Sequence, residues 1–208
     1  MGSWLSGVVL AAIAAIATLT TDGLPSRAED GNRDDGFAKR LFAGNIGQQD
    51  KSYACFVRRY DTAHLARHKQ QKVSTMKLLV TAEKVPEDET LNYSFRLGVT
   101  FRHRPGDFDS SGDCGHAKAS EVAGDKAQLG CSVDCDGGGI TVEQSGDDKS
   151  ILVRLDSIRI WRNNQPDEEG FSLSGGADDR VFRLDRAKLD ACRWLVTDRK
   201  ELAAMRHK

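Results

Sequence analysis

The chain has 208 residues, and its 30 Lys and Arg nearly balance 31 Asp and Glu, for a formal net charge of −1. No block of roughly five or more like charges occurs, which excludes the electrostatic footprint of a nucleic-acid-binding protein, and no nucleic-acid partner is expected. The five cysteines are an odd number, so at least one has no partner within the chain.

Taken in chain order, the first element is an uncharged, alanine-rich apolar run from Trp4 to Leu19. It is shorter than the roughly 20 residues a spanning helix needs, and Ser26-Arg27-Ala28 supplies the small residues of a cleavage site. Residues 1–28 therefore read as a secretory signal peptide removed after Ala28, although no Lys or Arg precedes the apolar run. The mature chain is expected to be periplasmic or secreted, with no membrane span after cleavage, in an oxidising compartment where thiols pair. Residues 29–52, rich in Gly, Asp and Asn, read as a flexible lead-in with one turn of helix at Phe37 to Phe42. Residues 53–208 read as a single β-rich domain, long enough to bury a core.

Within that domain the signal is alternation. Leu91, Tyr93, Phe95, Leu97, Val99 and Phe101 are apolar, while Asn92, Ser94, Arg96, Gly98, Thr100 and Arg102 between them are polar or small. A helix would scatter these residues around its axis, whereas a half-buried strand sorts them to two faces. The same period holds for Met76 to Ala82, Ala127 to Cys135 and Ile151 to Leu155, with shorter strands at Tyr53 to Arg59, Phe171 to Ser174 and Val181 to Leu184. Between Leu155 and Ile158 the apolar parity flips, which predicts a bulge at Asp156-Ser157. A short helix is expected near Thr62 to Arg67. A terminal helix at about 198–206 opens on a capping-box-like Asp198 and Glu201 and ends in Arg206, His207 and Lys208, which suit the negative end of its dipole. Consecutive hairpins of this kind predict a mainly β fold, an antiparallel meander closing into a small barrel or sandwich. The length, hairpin order and terminal helix are similar to those of lipocalin-like barrels, in architecture alone, since the G-x-W signature near the first strand is absent.

Strand geometry constrains the cysteine partners. Cys131 and Cys135 on one strand face would stand about 13 Å apart, too far for a bond or a shared zinc, so they need different partners. A hairpin folded about Gly124-Asp125 sets Cys114 opposite Cys135, the preferred disulfide, and leaves Cys131 as a buried thiol; a broken ladder would pair Cys114 with Cys131 instead. Cys55 and Cys192 form the second expected pair, tying the first strand to the last segment. A hairpin loop through "DCDGGG" aligns Cys135 with Ile140 and Val133 with Val142.

The stretch "DFDSSGDCG" matches part of an EF-hand loop through Asp107, Asp109 and Asp113, but Lys118 stands where the closing Glu belongs. It reads as an Asx-rich turn, and no metal or other cofactor is expected. His64 and His68 share a helix face as solvated residues, among Arg67, Lys69 and Lys72. His116 has Asp113 and Asp134 as possible partners, without a recognisable nucleophile elbow. Arg96, Arg102, Arg104, Arg154, Arg159 and Arg162 read as ordinary outward polar positions, with an anion- or acidic-partner-binding sheet surface as the alternative, and Trp161 as an outward contact residue beside Arg159 and Arg162. The function expected from all this is non-catalytic binding of a ligand or protein partner. The alternatives are a secreted hydrolase with a dispersed His/Asp site and a weak calcium-binding module.

Overall fold

The computed structural model describes residues 36–46, 50–85, 90–117, 127–163 and 169–205. The expected signal peptide and its cleavage site, the turn expected at Gly124-Asp125, and Arg206 to Lys208 lie outside them. Nine strands follow: β1 (Lys51–Arg59), β2 (Val73–Val85), β3 (Thr90–Phe101), β4 (Asp107–His116), β5 (Gln128–Ser132), β6 (Gly138–Gln144), β7 (Ser150–Arg162), β8 (Phe171–Ser174) and β9 (Val181–Ala187). Three helices accompany them: α1 over residues 36–41, α2 (Thr62–Arg67) and α3 (Arg199–Met205), with a 3₁₀ segment at Leu189–Leu195.

The strands are antiparallel and run as a meander from β1 to β7; β6 pairs with β7, β7 with β9, and β9 returns to β1, so eight strands close a ring. Closure removes the open edges that a flat sheet would expose. The split of β7 makes this possible. Ile140 pairs with Leu155 and Gly139 with Ser157, so Asp156 is left over as the bulge. Before the bulge β7 pairs with β9, and after it with the short β8. Because β5 and β6 are short, β4 also meets β7 directly beneath them, Phe108 opposite Arg162 and Asp109 opposite Trp161.

Alternation sends Phe56, Met76, Leu78, Phe95, Leu97, Phe108, Phe182 and Leu184 inward, each at most 1% exposed. The interior is thus filled by side chains, as a small barrel of about eight strands allows. One end is stoppered by α1. Phe37, Ala38, Leu41 and Phe42 are all buried and join the barrel core, Phe37 edge-on to His116 and Phe42 stacked on Tyr93. Burying each of the larger side chains is worth about 1.5–3 kcal/mol. Arg186 of β9 holds the end of this helix, donating from Nη1 to the Leu41 carbonyl and from Nη2 to those of Arg40 and Asp148. Within the segment expected to be a flexible lead-in, the turn of helix expected at Phe37 to Phe42 is present, and Phe37, Ala38, Leu41 and Phe42 belong to the core.

The other end is closed by the connection between α2 and β2 and the turn between β8 and β9. Asp179, fully buried, accepts hydrogen bonds from the backbone N–H groups of Lys72 and Val73, and Asp178 accepts one from Gln70. His64 and His68 are more engaged than solvated residues: Tyr60, His64 and His68 stack in a column with centroids 4.6 and 4.3 Å apart, His64 meets the Gln71 amide, and His68 faces Asp178.

Two disulfides are present. Cys55 of β1 bonds Cys192 of the 3₁₀ segment, and Cys114 of β4 bonds Cys131 of β5. The second differs from the expected pair of Cys114 and Cys135. Cys114 stands directly opposite Cys131, because β4 and β5 pair with Gly115 facing Gly130 and His116 facing Leu129, a register different from the one expected. The next hairpin is shifted too: Cys131 faces Ile140 and Leu129 faces Val142. Cys135 therefore sits in the turn, at φ 54°, as an exposed free thiol. Gly139 fixes this register, since a Cβ there would lie 2.1 Å from the Cys131 carbonyl oxygen.

Candidate functional site

The terminal segment forms a clamp on the outside of the barrel. Outward residues of β1 and β2, Tyr53, Cys55 and Leu79, are apolar where a solvated face would be polar, and Cys192, Leu195, Val196 and Met205 cover them in a second buried cluster. The Asp198 carboxylate caps α3 by accepting from the Glu201 N–H. The Glu201 carboxylate, instead of reaching back to complete a capping box, takes two hydrogen bonds from Arg96 of β3, 3.0 and 2.9 Å long. That charge-assisted fork fixes the clamp's far end, while the disulfide fixes its near end.

Between these two fixings Trp194 packs against the sheet. The bed beneath it is Gly98, where a Cβ would come within 2.5 Å of the ring. A groove of about 980 Å³ opens beside the indole, lined by Arg59, Lys77, Thr100, Asp107, Arg162 and Trp194. A recess of about 510 Å³ on its other side shares Arg59, Lys77, Trp194 and Val196 and adds Asp190 and Arg193. Arg59 and Lys77 belong to both.

These two cations are neighbours. They project from the same outer face of neighbouring strands, Arg59 opposite Thr75 and Lys77 opposite Val57. Among the described residues neither makes an ion pair, whereas Arg58, Arg96, Arg154 and Arg183 each hold a carboxylate. Lys77 Nζ lies 5.3 Å from the Trp194 ring centroid, a cation–π contact. Burial lowers the Lys77 pKa, the Arg59 charge lowers it further, and Asp107 opposes the shift. An anion placed between Arg59 and Lys77 relieves both the burial cost and the like-charge repulsion.

The residues singled out from sequence fall elsewhere or have other work. Asp107, Asp109 and Asp113 lie on strand β4, not in a turn, and alternate along its outer face. Burial raises the Asp109 pKa from its ordinary value. No group of three or more His, Cys, Asp or Glu among the described residues could hold a metal ion. His116 points inward between Phe37 and Tyr93 while Asp113 lies on the opposite face, so β4 keeps them apart. Trp161 and Arg159 do face outward, the indole against Gly170. Arg162 does not share that face: it stands opposite the inward Phe108, with its guanidinium over that ring and a hydrogen bond to the Pro105 carbonyl. Arg102 donates to the carbonyls of Leu65 and His68, and Arg104 stacks 3.8 Å above Phe171. Sequence reading passed over Arg59, Lys77 and Trp194. The one signal pointing to them is "CRWLV", an apolar run around a disulfide cysteine just before the terminal helix.

The fold and groove define a closed antiparallel β-barrel with a filled interior, an N-terminal stopper and a disulfide-tethered outer clamp bearing a basic, indole-lined groove. Compared with protein-family models, curated proteins and solved structures, the chain matches none of them. No helix among the described residues is long and apolar enough to cross a membrane.

Proposed function

We propose that this chain is an exported, non-catalytic binding domain that takes a carboxylate-bearing ligand in the groove beside Trp194. The observation that carries this reading is the pair of Arg59 and Lys77, two neighbouring cations that make no ion pair among the described residues, on the wall of a formed groove. The filled barrel supports it as well, because Phe56, Phe95 and Phe182 occupy the space where a barrel-type ligand would sit. Export is supported by the N-terminal apolar run and by two disulfides that suit an oxidising compartment. Mature protein isolated from the envelope or medium is expected to begin at Glu29.

Citrate serves as a small probe. Calorimetric titration at low salt is expected to give saturable binding that weakens as sodium chloride screens the pair. The double substitution Arg59→Gln, Lys77→Gln is expected to lower affinity about tenfold or more, as loss of a desolvated anchor does. Equal affinity in the double variant, or no binding by the parent, refutes the assignment.

A further inference from the structure

The groove's surroundings contain more than cations. Strand register places Lys77 opposite Gly98, Gly98 opposite Asp109 and Asp109 opposite Trp161. One straight outward row therefore reads Lys77, the Trp194 indole lying on Gly98, Asp109 and Trp161. A second row beside it reads Arg59, Thr75, Thr100 and Asp107, with the Asn163 N–H bonded to the Asp107 carbonyl. Across four strands the first row spans about 14 Å, more than one small anion covers.

A ligand complementary to both rows must satisfy three demands together. It needs anionic groups for Arg59 and Lys77. It needs hydrogen-bond donors for Asp107 and Asp109, carboxylates that repel a bare polyanion such as polyphosphate. It also needs flat apolar faces for the two indoles, whose rings offer an apolar surface with a polar N–H at the edge. An acidic peptide meets the first demand, but β2, β3 and β4 are each hydrogen-bonded on both sides, so its backbone finds no strand edge to extend. A sugar acid carries carboxylates, hydroxyl donors and the apolar face of a pyranose ring in one repeat.

We infer that the surface formed by Arg59, Lys77, Trp194, Asp109 and Trp161 binds a linear acidic glycan, with uronate carboxylates on the cations and ring faces on the indoles. This rests on the carboxylate-binding reading above, and the test separates the two. A linear galacturonate oligomer, a neutral galactose oligomer of the same length and a glutamate oligomer of the same charge are titrated against the mature protein, following heat and indole emission. The galacturonate oligomer is expected to bind at least about tenfold more tightly than either control and to change the indole emission. Trp194→Ala is expected to remove that preference and Trp194→Phe to keep most of it, with far-ultraviolet circular dichroism confirming that both fold. Trp161→Ala is expected to weaken the oligomer more than free galacturonate, because only the oligomer reaches across the row. If the glutamate oligomer binds as tightly, or if citrate binds but no galacturonate does, the glycan assignment is overturned while the carboxylate site stands. If neither citrate nor galacturonate binds, both are overturned.

Discussion

Replacing both Cys55 and Cys192 with Ala removes the link between β1 and the outer clamp, and its cost follows from chain length. The cross-link closes a loop of 137 residues against 17 for Cys114 and Cys131; by the chain-entropy relation this corresponds to about 5 kcal/mol against about 3 kcal/mol at 25 °C. A domain of this size typically has about 5–15 kcal/mol in total. The Cys55/Cys192 variant should therefore sit close to its folding limit, while β1 still pairs with β9 through Cys55 to Val57 and keeps the barrel closed. Alanine is chosen over serine because the two sulfurs lie in a buried apolar cluster, with Cys55 1% and Cys192 0% exposed; a hydroxyl there adds a cost unrelated to the cross-link. Urea unfolding with linear extrapolation measures both double variants, and free energies are compared instead of midpoints, since loss of a cross-link expands the unfolded chain and alters the slope. The expected order is a larger loss for Cys55/Cys192, by about 2 kcal/mol, with Trp194 emission shifted toward that of solvated indole in the folded baseline. Equal losses, or a larger loss for Cys114/Cys131, refute the view that the long cross-link dominates.

Two further outcomes are expected. Burial, and then the Glu201 carboxylate, push the Tyr53 hydroxyl up to about 12 from 10.0. The native state thus holds a proton that the unfolded state releases, and stability falls as pH rises between those values. In Tyr53→Phe that slope flattens in urea titrations at successive pH values; an unchanged slope contradicts the assignment. Alkylation of the native, unreduced protein should modify Cys135 alone, and peptide mapping should recover Cys114 linked to Cys131. A peptide linking Cys114 to Cys135 excludes the register described for β4 and β5.

The outline of the barrel was legible in the sequence because strand alternation depends only on which residues face inward. Leu91 to Phe101 all face as that rule demands, and the parity flip at Asp156 is the bulge on which β7 divides. Pairing between strands was less legible, since it depends on the length of connections. Placing the β4–β5 turn at Gly124-Asp125 moved the partner of Cys114 from Cys131 to Cys135 and exchanged the buried thiol for the exposed one. The Asp-rich start of β4 resembles a turn because its outward positions are acidic, while Phe108, Ser110 and Gly112 are its inward set. Trp194 escaped notice for a different reason: what makes it a wall of the groove is the missing side chain of Gly98, nearly a hundred residues earlier.

Ring closure through β1 and β9 has a temporal consequence. The first strand waits for almost the last, α1 waits for Arg186 to hold its carbonyls, and Cys55 waits for Cys192. A chain synthesised from its N-terminus can form the β1–β4 meander early, but β1 and β7 stay open-edged until the residues of β9 emerge. Such non-local closure slows folding and leaves adhesive edges exposed in the meantime. A polypeptide halted before Ala187 is therefore an incomplete ring that seeks partners, and the protein becomes inert toward its neighbours only when its final segment arrives.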